Sequence, residues 1–164
     1  MKTILLVRHG KSSWEHDVID AERPLKLRGK QDATLVAKHF MAISKPPERI
    51  FSSIAKRALN TCKIFTKTFN LSEDIIYKHE DLYDFSGENV IRFIKSLPRE
   101  IDSVMIFGHN HAFTSIANLY GDKFISNLPT SGLVKLNFDI KEWKNLQQGS
   151  TEFIITPKQL KTDD

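Results

Sequence analysis

Two strongly apolar runs stand out from a chain that otherwise mixes polar and apolar positions. Ile4-Leu5-Leu6-Val7 is short, rich in branched side chains and closely followed by Gly10, which predicts a strand buried on both faces. Ser103-Val104-Met105-Ile106-Phe107, stopped by Gly108, predicts a second. Between them apolar residues recur at helical spacing. Ala33, Val36, Ala37 and Phe40 mark one face of an amphipathic helix from about Leu27 to Ile43, ended by Pro46-Pro47. Arg49-Ile50-Phe51 then forms a short strand stopping at Ser52-Ser53, and a helix follows from about Ala55 to Phe69, with Asn70 as its terminator.

The later elements are shorter. Asp74 to Tyr77 reads as a third strand, and a loop with Leu82, Tyr83, Asp84 and Gly87 leads to a helix carrying Val90, Ile91 and Ile94, closed by Pro98. After Gly108-His109-Asn110-His111 comes a helix from about Ala112 to Tyr120. Leu133 to Phe138 alternates as a strand with one exposed face, and Phe153-Ile154-Ile155 adds a last strand, so the sheet is mixed near an edge. Trp14 to Pro24 is polar and irregular, with Arg23-Pro24-Leu25 a turn into the first helix. Strands alternating with helices predict an α/β fold: a three-layer α/β/α sandwich with a central mixed, mostly parallel sheet, one domain over 1–164.

Composition narrows the function more than the fold. With 40% hydrophobic and 27% charged residues, the 164-residue chain is ordinary for a globular domain. A net charge of +4, spread along the chain, suits an anionic substrate without calling for nucleic acid. The phenylalanines fall at helix or strand spacing (Phe65 and Phe69, Phe93 beside Ile94), the signature of core and not of base stacking. Cys62 is the only cysteine, so no internal disulfide forms and a reducing compartment is expected; beside Ile64 and Phe65 it reads as a small buried residue. Met1-Lys2 opens like a signal peptide, but Arg8 breaks the apolar run too early, and no segment suits a membrane. A cytoplasmic monomer is the expectation.

Chemistry-bearing residues cluster where strands end. Arg8-His9-Gly10 follows the first strand, Ser52-Ser53-Ile54-Ala55-Lys56-Arg57-Ala58 the second, and Gly108-His109-Asn110 the strong late one. Alone, Arg8-His9 reads as a snorkelling arginine and a loop histidine. In a parallel sheet, however, all three segments meet at one edge, where such folds place their ligands. Two guanidiniums and two imidazoles there form a cationic pocket, and the arginine fork matches a phosphoryl group. Helix N-termini after Ser53 and Gly108 add backbone donors.

These three segments resemble the histidine phosphatase superfamily, the phosphoglycerate-mutase-like enzymes. Lys11-Ser12-Ser13-Trp14, Arg23-Pro24-Leu25, Leu82-Tyr83, Leu128-Pro129-Thr130-x-Gly132 and Trp143 further resemble its small bacterial branch, the SixA-type protein phosphohistidine phosphatases. The resemblance implies that His9 is the phosphorylated nucleophile, that Arg8 and Arg57 clamp the phosphoryl oxygens and that His109 stabilises their charge. It implies neither metal nor cofactor. Lys11, Ser12 and Asn110 are expected to bind substrate around the nucleophile, and Trp14 to line the rim or simply pack there. His16, His39 and His79 have no motif context.

Two residues carry competing readings. Leu82-x-Asp84 resembles the leucine-x-acid spacing of the larger relatives, which makes Asp84 a candidate general acid, although the SixA-type branch looks to lack one. His111 stands where close relatives usually have proline, and Gly108-His109-Asn110-His111 matches the Gly-His-x-His element of metal-dependent phosphoesterases. The companion elements of a two-metal site, Asp-x-His, Gly-Asp-x-x-Asp and Gly-Asn-His-Asp, are absent from the sequence, so His111 is assigned to the rim. Between Arg57 and His109 the chain has no insertion long enough for a lid. An open cleft of this kind points to phosphohistidine on a protein; a small phosphorylated substrate, or a phosphoprotein-binding module with little turnover, are the alternatives.

Overall fold

β1 (Lys2–Arg8) lies near the centre of a six-stranded sheet in the computed structural model, which describes residues 1–161. The last three positions of the expected 1–164 domain lie outside the described residues. With β2 (Arg49–Ser52), β3 (Ile76–Lys78), β4 (Ser103–Gly108), β5 (Leu133–Phe138) and β6 (Ser150–Ile155), the order across the sheet is β3-β2-β4-β1-β5-β6. The first four strands are mutually parallel and the last two antiparallel to their neighbours. The mixed, mostly parallel sheet expected from the sequence is therefore present.

Alternation along β1 explains its unbroken apolar run. Successive side chains of a strand point to opposite faces, so Leu5 and Val7 join α1 (Leu27–Ile43) and α2 (Lys56–Thr68) in one core. Ile4 and Leu6 join α3 (Glu88–Lys95) and α4 (Ala112–Tyr120) in the other. Both sets are essentially inaccessible to solvent. Truncating Leu6 to alanine would cost about 2–5 kcal/mol, since a cavity forms at the centre of the sheet.

Three details depart from expectation. The third strand begins later than Asp74, because Glu73–Ile75 form a 3₁₀ turn in which the Asp74 N–H donates to Ser72 Oγ, and pairing starts at Ile76. The last strand starts at Ser150, its polar first half carrying ladder bonds that hydrophobicity does not reveal. β5 is covered on both faces: Lys135 and Asn137 are half-buried, each bonded to Glu152 on β6 at 3.2 and 2.7 Å. A four-residue helix, α5 (Pro157–Leu160), follows, opened by a Thr156–Gln159 capping box.

Charge that is dispersed along the chain is concentrated in space. α1 and α2 together carry Arg28, Lys30, Lys38, Lys56, Arg57, Lys63 and Lys67 against one acid, Asp32. Cys62 is buried in the α1–α2 core, where desolvation pushes its thiol far up. Among the described residues no helix is long and apolar enough to cross a membrane.

Candidate active site

β1 and β4 pair in register with Arg8 opposite Gly108, so their C-terminal residues leave the sheet side by side. The His9 N–H donates to Gly108 O at 3.0 Å, and the His9 and His109 rings lie 5.3 Å apart. α2 ties down the same loop. The Gly10 N–H donates to Thr61 Oγ1 at 2.9 Å, and that hydroxyl donates to Arg57 O at 2.7 Å. From the other flank α1 comes so close that a β-carbon on Gly29 would stand 2.2 Å from Lys11 O, which requires glycine there.

Hydrogen bonds fix the tautomer of His9 and the orientation of His109. Gly10 O can only accept, so the 2.7 Å contact to His9 Nδ1 places the proton on Nδ1 and leaves the Nε2 lone pair as an acceptor, met by the Arg57 Nε–H at 3.4 Å. Desolvation, reinforced by Arg57, Arg8 and Arg23 and opposed by the Gly10 bond, holds His9 at about 4. His9 is neutral at physiological pH. Ser53 Oγ accepts from the Ala55 N–H at 3.1 Å and is hydrogen-bonded to His109 Nε2 at 2.8 Å, which orients the His109 ring. Burial above all, then His9 and Arg57, lower His109 to about 2.

The cations surround His9. Arg57, itself almost wholly buried, brings Nε to 3.4 Å from His9 Nε2, and Arg8 Nη1 donates to Leu128 O at 2.8 Å. Arg8 Nε and His109 Nδ1 are buried nitrogens without a partner. Buried polar groups are normally satisfied, so this pair marks where the oxygens of an anionic ligand fit. Ser131, at φ +62° in the left-handed region, closes the floor by donating its N–H to the carbonyls of Arg8 and His9, each at 3.1 Å.

One carboxylate enters this cationic site. Asp20 Oδ2 accepts from Arg57 Nη2 at 2.9 Å and from the Tyr83 hydroxyl, while Oδ1 accepts from Arg23 Nη1 at 3.0 Å. Burial opposes ionisation, but the bonds from Tyr83, Arg57 and Arg23 outweigh it and hold Asp20 at about 2. Burial and the bond to Asp20 push Tyr83 up, so it remains the donor. The resulting cleft, of about 330 Å³, has Trp14 and Phe85 at its edge; Trp14 is 76% exposed, with the Arg23 guanidinium stacked 3.3 Å from its ring centre. A larger groove of about 590 Å³ between α1 and α2, lined by Lys38, Met41, Ile64 and Lys67 among others, contains no histidine or carboxylate.

Arg8, His9, Arg57 and His109 thus converge as the sequence indicated. Lys11, Ser12 and Asn110 also line the cleft. Ser12 Oγ accepts from Arg23 Nη2, and the Asn110 amide is engaged by Thr114 and Asn127, which secures the turn leading to Leu128. Asp84 has other work. Its carboxylate accepts from the backbone N–H groups of Ser86, Gly87, Asn89 and Val90 and so caps α3. Burial opposes ionisation, yet those bonds keep Asp84 below the usual carboxylate range, which corrects its candidacy as an acid. His111 is exposed at the start of α4, outside the cleft lining. The sequence assigned no role to Asp20, Tyr83 or Ser131; the one available signal was the Asp20-x-x-Arg23 spacing in an otherwise irregular stretch.

A layered α/β sheet with paired histidines and arginines at its C-terminal edge defines a phosphoryl-handling protein of the phosphoglycerate-mutase-like type. The sequence matches the family model of the histidine phosphatase superfamily (branch 1) over residues 4–87, and the chain belongs to that family. An uncharacterized protein of Mycobacterium leprae is 26% identical over 161 residues, covering 90% of this chain and 96% of its own. Among solved structures, the protein histidine phosphatase SixA complexed with tungstate superposes with a TM-score of 0.81 at 21% identity, over 97% of this chain and 99% of the other. A putative phosphohistidine phosphatase SixA from Agrobacterium tumefaciens gives 0.79 at 24% identity, over 95% and 98%. At these identities the superpositions establish the fold.

Proposed function

We propose that this chain is a metal- and cofactor-independent phosphatase that carries the phosphoryl group on His9 and acts on phosphohistidine in proteins. The observation that carries this reading is the neutral His9 ring, fixed through Nδ1, whose Nε2 lone pair is met only by a long 3.4 Å bond from Arg57 Nε–H, a donor that can pass to a phosphoryl oxygen when substrate binds. His9 Nε2 attacks phosphorus while the bond to the leaving group breaks. Arg57 Nε, Arg8 Nε and His109 Nδ1 take the phosphoryl oxygens, supplying donors that need no rearrangement as charge shifts in the transition state. Water then attacks phospho-His9, the P–Nε2 electrons return to the ring, and the Nδ1–H···O bond to Gly10 persists throughout.

Protein phosphohistidine is the substrate this site favours. The cleft is open, with exposed Trp14 and Phe85 at its edge to meet a protein surface, and the SixA structures are relatives in fold. A mycobacterial glucosyl-3-phosphoglycerate phosphatase shares the fold at a TM-score of 0.65, which is the support for a small phosphomonoester instead. That chemistry calls for an acid at the leaving oxygen, and Asp84 is committed to capping α3. The chain is proposed to act as a single-domain cytoplasmic monomer, in keeping with its lone buried cysteine.

The test compares phosphate release from a phosphohistidine-bearing protein and from an alkyl phosphate, before and after chelation and with vanadate. The expected result is faster cleavage of the P–N bond, unaffected by chelator and blocked by vanadate. Loss of activity on chelation, or preferential hydrolysis of the alkyl ester, would contradict the proposal.

A further inference from the structure

Asp20 is an unusual guest in a site built to receive an anion. It is the only carboxylate lining the cleft among the described residues, and it lies 37 positions from Arg57 and 63 from Tyr83 in sequence, so the chain folds back to place it there. Its hydrogen bonds can be counted. Two carboxylate oxygens accept about four hydrogen bonds in all. Arg57 and Tyr83 fill Oδ2, and Arg23 takes one position on Oδ1. One acceptor position on Oδ1 is left, on a side chain that is 42% exposed.

Arg57 spans the distance from the nucleophile to this carboxylate, with Nε at His9 Nε2 and Nη2 at Asp20 Oδ2. A phosphoryl group bound between Arg57, Arg8 and His109 must present its leaving atom on the side away from His9, and Asp20, bonded to Arg57 and partly exposed, is a lining residue of that same cleft. We propose, building on the phosphohistidine reading above, that Asp20 is the specificity-determining residue for P–N over P–O bonds, its open Oδ1 position accepting the ring N–H of the departing imidazole.

The step balances without an added proton. The substrate ring carries its proton on the nitrogen remote from phosphorus. As the His9 Nε2–P bond forms, the P–N bond breaks, its electrons pass to the leaving nitrogen, and a neutral imidazole departs with its N–H still bonded to Asp20. An alkyl phosphate places the opposite charge in the same position. Its leaving oxygen becomes more negative as the bond breaks, next to a carboxylate that repels it and has no proton to give. A single carboxylate thus favours one class of leaving group and disfavours the other.

Asp20→Asn keeps the size and removes the charge. We measure kcat/KM for phosphohistidine and for an alkyl phosphate on the wild-type protein and on Asp20→Asn, and compare the ratio of the two. The expected result is a fall in the P–N to P–O ratio of about ten- to a hundredfold, the worth of one hydrogen bond to a charged group. Asp20→Glu, which restores the carboxylate, should recover part of the ratio. An unchanged ratio overturns the inference: if both activities fall equally, Asp20 only positions Arg57, and if neither falls it has no part in the reaction. Failure of the phosphohistidine reading itself would show in the wild-type protein, as absent turnover of phosphohistidine, and so is distinguishable.

Discussion

Asp20 and Asp84 are the same side chain in two loops near the C-terminal edge of the sheet, and their neighbours give them opposite roles. Asp84 is surrounded by backbone N–H groups of its own local segment and stabilises the start of α3. Asp20 is bonded to side chains from distant parts of the chain and stands among the cations of the cleft. Both are held ionised, one by peptide dipoles and the other by guanidiniums and a phenol. The comparison teaches that a carboxylate's availability for chemistry depends on whether its donors are local or belong to the site, and spacing along the sequence does not report this.

The strongest way to probe the Asp20 side is through its partner. Arg57→Ala removes donors shared by Asp20 and the phosphoryl position, and turnover should fall by about two to three orders of magnitude. Near-wild-type kcat/KM for this variant would place the site elsewhere. On the other side, Asp84→Ala should leave kcat within about threefold of wild type, yet lower stability by about 1–2 kcal/mol through loss of the cap, read from urea unfolding midpoints at constant slope. A large drop in kcat for a folded Asp84→Ala protein would reverse the assignment.

Acid titration separates the two kinds of buried group. Asp84 is depressed in the folded state, so its contribution is complete above the ordinary carboxylate range and is lost as pH falls through its lower folded value. Asp84→Ala should flatten that part of the stability profile. The histidines act at higher pH. His9 at about 4 and His109 at about 2 refuse protons that the unfolded chain takes up from its ordinary 6.5, so stability should decline as pH falls below that point. His109→Asn should lessen the decline between pH 6.5 and 4; an unchanged slope would mean that His109 is not the neutral buried group described here. The smallest effect concerns Cys62, which should resist alkylation in the native protein and react only on unfolding.

What could be read from the sequence follows the same division between local and distant. β1 and β4 announce themselves because burial on both faces leaves no polar position in the run, and the histidines and arginines at strand ends inherit their placement from those strands. α1 ends where its periodicity and Pro46-Pro47 indicated. β3 was displaced because Ser72 captures the preceding residues into a 3₁₀ turn, and the polar half of β6 is held by ladder bonds, which leave no trace in hydrophobicity. Asp20 and Ser131 escaped notice, and Tyr83 was noted without a role, because each owes its position to contacts with residues far off in sequence. Asp84 attracted notice through its spacing from Leu82, while its actual donors, the N–H groups of Ser86 and Gly87 before α3 and of Asn89 and Val90 in its first turn, are backbone groups that side-chain spacing does not reveal.

The central claim is that His9 carries the phosphoryl group. The most direct measurement is to mix the wild-type protein and His9→Ala with a labelled phosphohistidine donor, quench within the first turnover at alkaline pH, where phosphohistidine survives, and locate the label by peptide mass. The account predicts up to one phosphate per wild-type chain, on the peptide containing His9, and none on His9→Ala. Label retained by His9→Ala, or found on His109 in the wild type, would contradict it.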